Sequence, residues 1–503
     1  MLKRIRVVLA TLFFILITLL FLDFTGFAQK HLVWMAKIQF LPAVLSLNII
    51  IVVALILFTI VFGRIYCSII CPLGVLQDIF GWFGKKAKKN RYTYSKAQSW
   101  LRYTVLGIFI LAIIFGVASL VALLAPYSSF GRIAQNLLSP IYIWGNNVLA
   151  SFADKTFISR EVWIRSLPTF IIAAATFVIL LILAWRNGRT YCNTICPVGT
   201  VLSFFARFSI FRPVIDKSKC VGCNLCVKNC KASCINIKDH KIDYSRCVVC
   251  GDCISKCKKD AISFTAKRYK NKPVAEQKAS NSTASCNESA EGGMERRTFI
   301  VSASALIASA AVAKAQDKLS STGIVSQERI VLKRETGITP PGSLGIDNLT
   351  SHCTGCQLCV AACPNKVLRP SSGLLTLMQP RASYERGYCR PGCTRCSSVC
   401  PTGAIQKITR EEKRTIQIGH AVWDGGICLP MTEGLYCGLC AEHCPTGAIT
   451  LVAVDPDDDL GPEFPVVDES KCIGCGACEF ACPAKPIKAI YVEGYSQHRR
   501  VGD

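Results

Sequence analysis

The sequence predicts an α-helical membrane bundle of four transmembrane helices, followed by small α+β modules built around cysteines. Three observations carry this. Apolar residues crowd the first 200 positions of the 503-residue chain, most of its 30 cysteines lie beyond position 219, and the formal net charge is +25. Such a length accommodates several domains.

The bundle occupies residues 1–205. Apolar runs at 7–27, 41–62 and 103–125 reach the ~20 residues that cross a hydrocarbon core of ~30 Å, and a fourth at 168–185 is near the lower limit. Lys3, Arg4 and Arg6 precede the first run; Lys85, Lys86, Lys88, Lys89 and Arg91 follow the second; Arg186 and Arg189 follow the fourth. The bias of basic residues toward the cytoplasm therefore places the N-terminus, the 80–102 loop and the segment after 186 on that side. A bacterial inner membrane with multiple crossings is the expected location.

The bundle repeats itself. Residues 63–74 read GRIYCSIICPLG and residues 188–199 read GRTYCNTICPVG. A spacing of four puts Cys67 and Cys71, and Cys192 and Cys196, on one face of a helix. The following proline suits the first turn of a new helix. Two readings stand. Cys-x-x-x-Cys-Pro is a helix-ending turn with buried thiols, or the four thiols are redox-active, as a dithiol or as an extra metal site, since soft thiolates select Fe–S, Zn or Cu(I). They are the candidate redox thiols; no catalytic residue is read beyond them.

Residues 206–265 form the next domain. Cys220, Cys223, Cys226 and Cys230 follow C-x2-C-x2-C-x3-C, and Cys247, Cys250, Cys253 and Cys257 repeat it. This is the spacing of bacterial two-cluster ferredoxins, with Lys231 and Lys258 where proline is usual. In that pattern the fourth cysteine reaches the other cluster, so Cys257 completes the first and Cys230 the second. Zinc also takes four thiolates, but two tandem copies are the iron–sulfur pattern itself. Cys234 is extra, either an alternative ligand or an inert neighbour. Between 206 and 275 stand 16 Lys and Arg against 5 Asp, a surface for an acidic partner or for anionic lipid.

Residues 266–293 are rich in Lys, Asn, Ser, Glu and Gly, a flexible linker in which Cys286 is isolated. Residues 294–315 begin Met-Glu-Arg-Arg-Thr-Phe-Ile and run through Ala and Ser to Ala313-Lys314-Ala315. Paired Arg296 and Arg297, a mild apolar stretch and a small-residue end are the parts of a twin-arginine export signal. The alternative is an amphipathic or buried helix with a chance arginine pair. Export would make residues 316–503 periplasmic, where 19 Lys and Arg nearly balance 20 Asp and Glu.

That last domain holds four more quartets: Cys353, Cys356, Cys359 and Cys363; Cys389, Cys393, Cys396 and Cys400; Cys428, Cys437, Cys440 and Cys444; Cys472, Cys475, Cys478 and Cys482. Each ends in Cys-Pro. The two irregular middle quartets are expected to pair, and the outer two around them. A disulfide framework suits small secreted domains but does not give this spacing. Six [4Fe–4S] clusters are therefore expected. No haem is expected, since Cys-x-x-Cys-His does not occur.

The first half resembles the NapH and MauN families of membrane ferredoxin proteins, on the GR-x-Y-C-x3-C-P repeat and the two-cluster module. The second resembles the exported NapG and MauM families, on the twin-arginine signal and four clusters. The chain looks like the two joined. The resemblance implies a quinol dehydrogenase of anaerobic respiration that draws on the quinol pool at the membrane. Electrons would pass to a periplasmic partner, a cytochrome or molybdenum reductase as in nitrate reduction. Membrane lipid is the other expected partner; nucleic acid is not one. Asn48 is a polar residue within a span, but no quinone site can be assigned. Two rival functions are a copper-handling oxidase maturation factor, since CcoG-like proteins share the Cys-x-x-x-Cys-Pro spans and a dicluster module, and a redox-sensing membrane scaffold.

Overall fold

A computed structural model describes residues 2–87, 92–152, 165–266, 334–455 and 461–502. Most of the expected linker with Cys286, the export-signal segment 294–315, and Lys88, Lys89 and Arg91 lie outside the described residues.

Two of the four expected spans form continuous helices. Leu2–Leu22 and Leu167–Asn187 have 21 residues each and are long and apolar enough to cross a membrane. At 1.5 Å per residue each is about 31 Å long. The other two spans need correction, because each is broken in two. The 41–62 run divides into Phe40–Leu45 and the 14-residue Ile49–Phe62. At the break Leu47 takes a φ of 53° and Asn48 Oδ1 accepts from Ile51 N at 3.3 Å. Asn48 thus serves as a helix cap. The 103–125 run divides into the 16-residue Ser99–Ile114 and Ala118–Leu124, around Gly116 at φ 67°. Apolar composition reports which solvent a segment prefers; it does not report where the hydrogen-bond ladder is interrupted.

The repeated motif gives a repeated structure. Ile49–Phe62 and Leu167–Asn187 end on Gly63 and Gly188, both with positive φ. Short turns follow at Tyr66–Ile69 and Thr190–Thr194. Cys71 and Cys196 then cap Pro72–Lys86 and Pro197–Ala206, each with proline in the first turn, where its missing N–H costs nothing. A Cβ on Gly74 would collide with the Cys67 carbonyl oxygen, and one on Gly199 with that of Cys192. Glycine at these positions lets each new helix close onto its own cysteine turn.

The 206–265 module has two antiparallel strand pairs, Phe211–Ile215 with Ile262–Ala266 and Ile235–Asn236 with Lys241–Ile242. Short helices Leu225–Lys228 and Asp252–Lys256 sit between them. In the C-terminal domain Ile416–Trp423 pairs with Ile490–Arg500, Ile449–Ala453 with Glu463–Val467, and Leu368–Pro370 with Pro380–Ala382, all antiparallel.

Both iron–sulfur regions pack on the bundle, at opposite ends of helix Leu2–Leu22. At its start Lys3 Nζ lies 2.8 Å from Asp252 of the first module. Beyond its end, Arg395 of the C-terminal domain donates to Thr25 O at 3.5 Å. There too Asn136 Nδ2 donates to Gln357 Oε1 at 3.0 Å and Arg165 to Val360 O at 2.8 Å. Asn136 lies in a π turn, Ala134–Leu138. One apolar core runs through all three, joining Phe21, Tyr66, Cys67, Cys71 and Tyr127 of the bundle to Val248 and to Leu358, Cys359 and Val399. Outward-facing apolar residues stay uncovered, among them Leu47, Ile49, Ile50, Ile114 and Phe115.

Candidate metal centres

One of the two crossings expected in the first module is visible directly. In the first module Cys230, Cys247, Cys250 and Cys253 line one cavity, so the fourth cysteine of one quartet closes the site of the other. Leu225–Lys228 and Asp252–Lys256 carry Cys226 and Cys253, and each starts from a left-handed residue, Asn224 or Gly251. Burial pushes the Cys250 thiol up to about 12. Four cysteines lining one cavity fit a cluster, whose binding releases the thiol protons.

Cys234 lines the same cavity, its sulfur 3.6 Å from that of Cys230. Hydrogen bonds to Cys230 and Cys247, then burial, push its thiol well above the usual range, while Cys230 is lowered to about 7, chiefly by that bond. Cys234 is thus a protonated S–H donor beside the ligands. Lys231, in the unusual proline position, is nearly buried between Asp252 of its own module, at 3.2 Å, and Asp78 of the bundle, at 3.4 Å. Although burial opposes the charge, Asp78, Cys250 and Asp252 hold this ammonium above its ordinary range. Asp78 also pairs with Arg6 at 2.6 Å and Arg189 at 2.9 Å. Lys258 is exposed and has no such role.

In the C-terminal domain the pairing differs from expectation. Cys363, Cys389, Cys393 and Cys396 share a cavity, and Cys400 lies with Cys353, Cys356 and Cys359. Cys428 likewise faces Cys482, and Cys472 faces Cys444. Neighbouring quartets pair in sequence order, and the nested arrangement is corrected. The reason is local: helices Leu358–Ala362 and Arg395–Val399 pack together, as do Leu439–Glu442 and Ala477–Ala481. Burial pushes Cys356 and Cys475 up to about 12 and Cys440 up to about 11. Lys413, missed in the sequence, is fully buried and turned toward Cys389.

The four Cys-x-x-x-Cys-Pro thiols converge inside the bundle. All four residues are at most 5% exposed, and Cys196 lies within electrostatic range of Cys67, Cys71 and Cys192. The two repeats are stitched across. Arg64 donates to Cys192 O at 3.0 Å, and Arg189 to Cys67 O at 2.5 Å. Gln77 Nε2 of the first repeat donates to the Cys192 sulfur at 3.3 Å. The sequence signal for the arginines was present, since Gly-Arg precedes both cysteine pairs; Asp78 and Gln77 had none. Among the described residues no cysteine is in a disulfide. Nor do three His, Cys, Asp or Glu side chains there converge on a single metal ion, the ferredoxin quartets included.

Comparison with known proteins bears on these sites. A 4Fe–4S binding domain matches residues 46–91, 168–216 and 396–416, and 4Fe–4S dicluster domains match 352–405 and 435–486. The first dicluster match holds the first two quartets and the second holds the last two except Cys428, in keeping with the sequential pairing. The chain carries 4Fe–4S domains and is similar to the ferredoxin-type proteins MauM, NapF and MauN. It is 33% identical over 155 residues to the methylamine utilization ferredoxin-type protein MauM of Methylophilus methylotrophus, covering 29% of this chain and 66% of that protein. It is 29% identical over 164 residues to the ferredoxin-type protein NapF of Escherichia coli, covering 32% of this chain and 90% of NapF. MauN of Methylobacillus flagellatus is 26% identical over 170 residues, covering 33% of this chain and 48% of MauN. The matched regions thus span slightly under two thirds of the MauM relatives. No solved structure matches the chain.

Proposed function

We propose that this chain is a membrane-bound quinol dehydrogenase that passes electrons through six [4Fe–4S] clusters to a periplasmic redox protein, a cytochrome or a molybdenum reductase. The observation that carries the reading is the attachment of two ferredoxin regions to opposite ends of one apolar bundle, about 31 Å apart along its first helix. The uncovered apolar belt and the two helices of crossing length support a membrane as the medium between them. The bundle and the 206–265 module belong to the membrane and cytoplasmic side. The linker 266–293 and signal 294–315 deliver 316–503 to the periplasm, in keeping with its contact at the far end of Leu2–Leu22. The two halves correspond to NapH-like and NapG-like proteins in one chain.

Bound clusters would supply one-electron chemistry, so that the two electrons of a quinol would leave singly while its two protons are released. The 24 ferredoxin cysteines hold the clusters, and their amide and S–H donors set the potentials. Anaerobic reduction of the membrane-bound protein by a quinol analogue, followed by EPR and iron counting, tests the reading. Reduced [4Fe–4S] signals sensitive to a quinol-site inhibitor are expected. Clusters that dithionite reduces and quinol does not would remove direct quinol oxidation and favour maturation or sensing.

A further inference from the structure

We infer that Cys67, Cys71, Cys192 and Cys196 together hold one further iron–sulfur cluster, shared between the two repeats and buried in the bundle beside the first ferredoxin module. The inference deepens the proposed function and rests on it for the cluster's role, though not for its existence.

Each of the four sulfurs has a donor. Gln77 Nε2 stands 3.3 Å from Cys192 and Gly199 N 3.3 Å from Cys196. The Gly74 amide bonds Cys71, and Arg64 Nη2 lies 3.9 Å from Cys67. The ferredoxin ligands show the same pattern, with Ala261 N 3.2 Å from Cys257, Gly355 N 3.5 Å from Cys353 and Ala448 N 3.3 Å from Cys444. Hydrogen bonds to cluster sulfurs are a general feature of iron–sulfur sites; four neutral thiols would not require them.

Charge points the same way. Arg64 is fully buried, and its bonds run to Asn193 Oδ1, Ser245 O and Cys192 O, none of them anionic. Arg189 is also fully buried; its Nε meets Asp78, but its Nη2 has no partner. Asp78 is one carboxylate shared by Arg6, Arg189 and Lys231, of which Lys231 alone also reaches a second, Asp252. A buried cation without a counter-charge is costly. Four thiolates around an oxidised two-iron or four-iron cluster carry a double negative charge, which answers that excess. Because the same thiols do not converge on a single ion, a cluster suits the spacing better than copper or zinc.

The place suits a relay. Arg64 also touches Ser245, two residues before Cys247. On the other side Tyr66 lies near Cys71, and Tyr127 neighbours Tyr66, Cys356 and Cys400. One electron would enter as a ferric centre becomes ferrous and leave as it returns, with no bond broken at the cluster; where quinol is the donor, its two electrons pass singly and its two O–H protons leave to water. The donor is quinol or a reduced ferredoxin cluster, and the acceptor is the Cys353–Cys400 cluster.

Iron and acid-labile sulfide counted on the anaerobically purified full chain, with Mössbauer spectra, test this. Cys71→Ser with Cys196→Ser should remove two to four irons per chain, with sulfide, and leave the [4Fe–4S] signals of the ferredoxin quartets. Arg64→Gln keeps all four thiols and should lower the potential or occupancy of this one centre. Equal iron and sulfide in wild type and the cysteine variant, with all four thiols alkylated in the native protein, would overturn the proposal, as would copper or zinc in place of iron. Loss of the irons without loss of quinol-driven cluster reduction would retain the cluster and reject the relay. A full iron count without any quinol reduction would fault the proposed function alone.

Discussion

Lys413 and Cys234 show how single side chains set the behaviour of centres whose ligands are otherwise alike. Lys413 is a fully buried ammonium turned toward Cys389. Positive charge beside a cluster stabilises its reduced, more negative state. Lys413→Met should therefore lower the potential of the cluster held by Cys363, Cys389, Cys393 and Cys396, read by EPR-monitored redox titration; an unchanged potential would deny the lysine this role. Cys234 holds its S–H beside Cys230, 3.6 Å away, with Cys247 as its other neighbour, so Cys234→Ala should likewise lower the potential of the second cluster while iron content holds. His498 supplies a pH dependence. Its Nε2 bonds Thr339 at 2.7 Å, and burial, then Lys413, lowers it from 6.5 to about 4. The folded state favours the neutral ring. Stability is fully present above pH 6.5 and is lost as pH falls toward 4, by up to about 3 kcal/mol. Thermal unfolding across that window should show the decline, and His498→Gln should flatten it.

At the scale of elements, docking depends on the Asp78 hub. Helix Pro72–Lys86 brings Asp78 against Arg6 of the first helix, Arg189 of the second repeat and Lys231 of the first module. Asp78→Asn leaves buried cations unpaired, a loss of about 3–5 kcal/mol. The variant should release the 206–265 module to protease at temperatures where wild type resists; equal resistance would show that the apolar core alone holds it. Crossed ligation makes a second prediction. Cys400→Ser should damage the cluster of Cys353, Cys356 and Cys359, and spare the centre whose potential responds to Lys413→Met. Cys363→Ser should do the reverse.

For the whole molecule, the decisive feature is the attachment of two ferredoxin regions at the two ends of Leu2–Leu22, through Lys3 with Asp252 and through Thr25 with Arg395. An epitope tag after Asp503 should be accessible in right-side-out vesicles and hidden in inverted ones, with the turn at Lys238–His240 reporting the opposite. Both on one side would remove the transmembrane wire.

By itself the sequence determined the cluster chemistry. Quartets in short loops gather their thiols through local spacing, so the candidate ligands, the crossing of Cys230 into the other quartet and the repeat around Cys67 and Cys192 were legible before any fold, and the 4Fe–4S domain matches agree with that chemistry. The helices were legible as apolar runs but not as continuous ones, because Leu47, Asn48 and Gly116 act through backbone geometry that hydropathy does not register. Tertiary structure alone decided the rest. Cluster pairing in 340–503 followed from which short helices pack together, since four similar quartets allow several pairings. Lys231 departs from the usual proline because a carboxylate 153 residues earlier, Asp78, comes to meet it. The convergence of Cys67, Cys71, Cys192 and Cys196 brings together two motifs separated by 125 positions, and only the packing of the two repeats against each other places those thiols in one buried site.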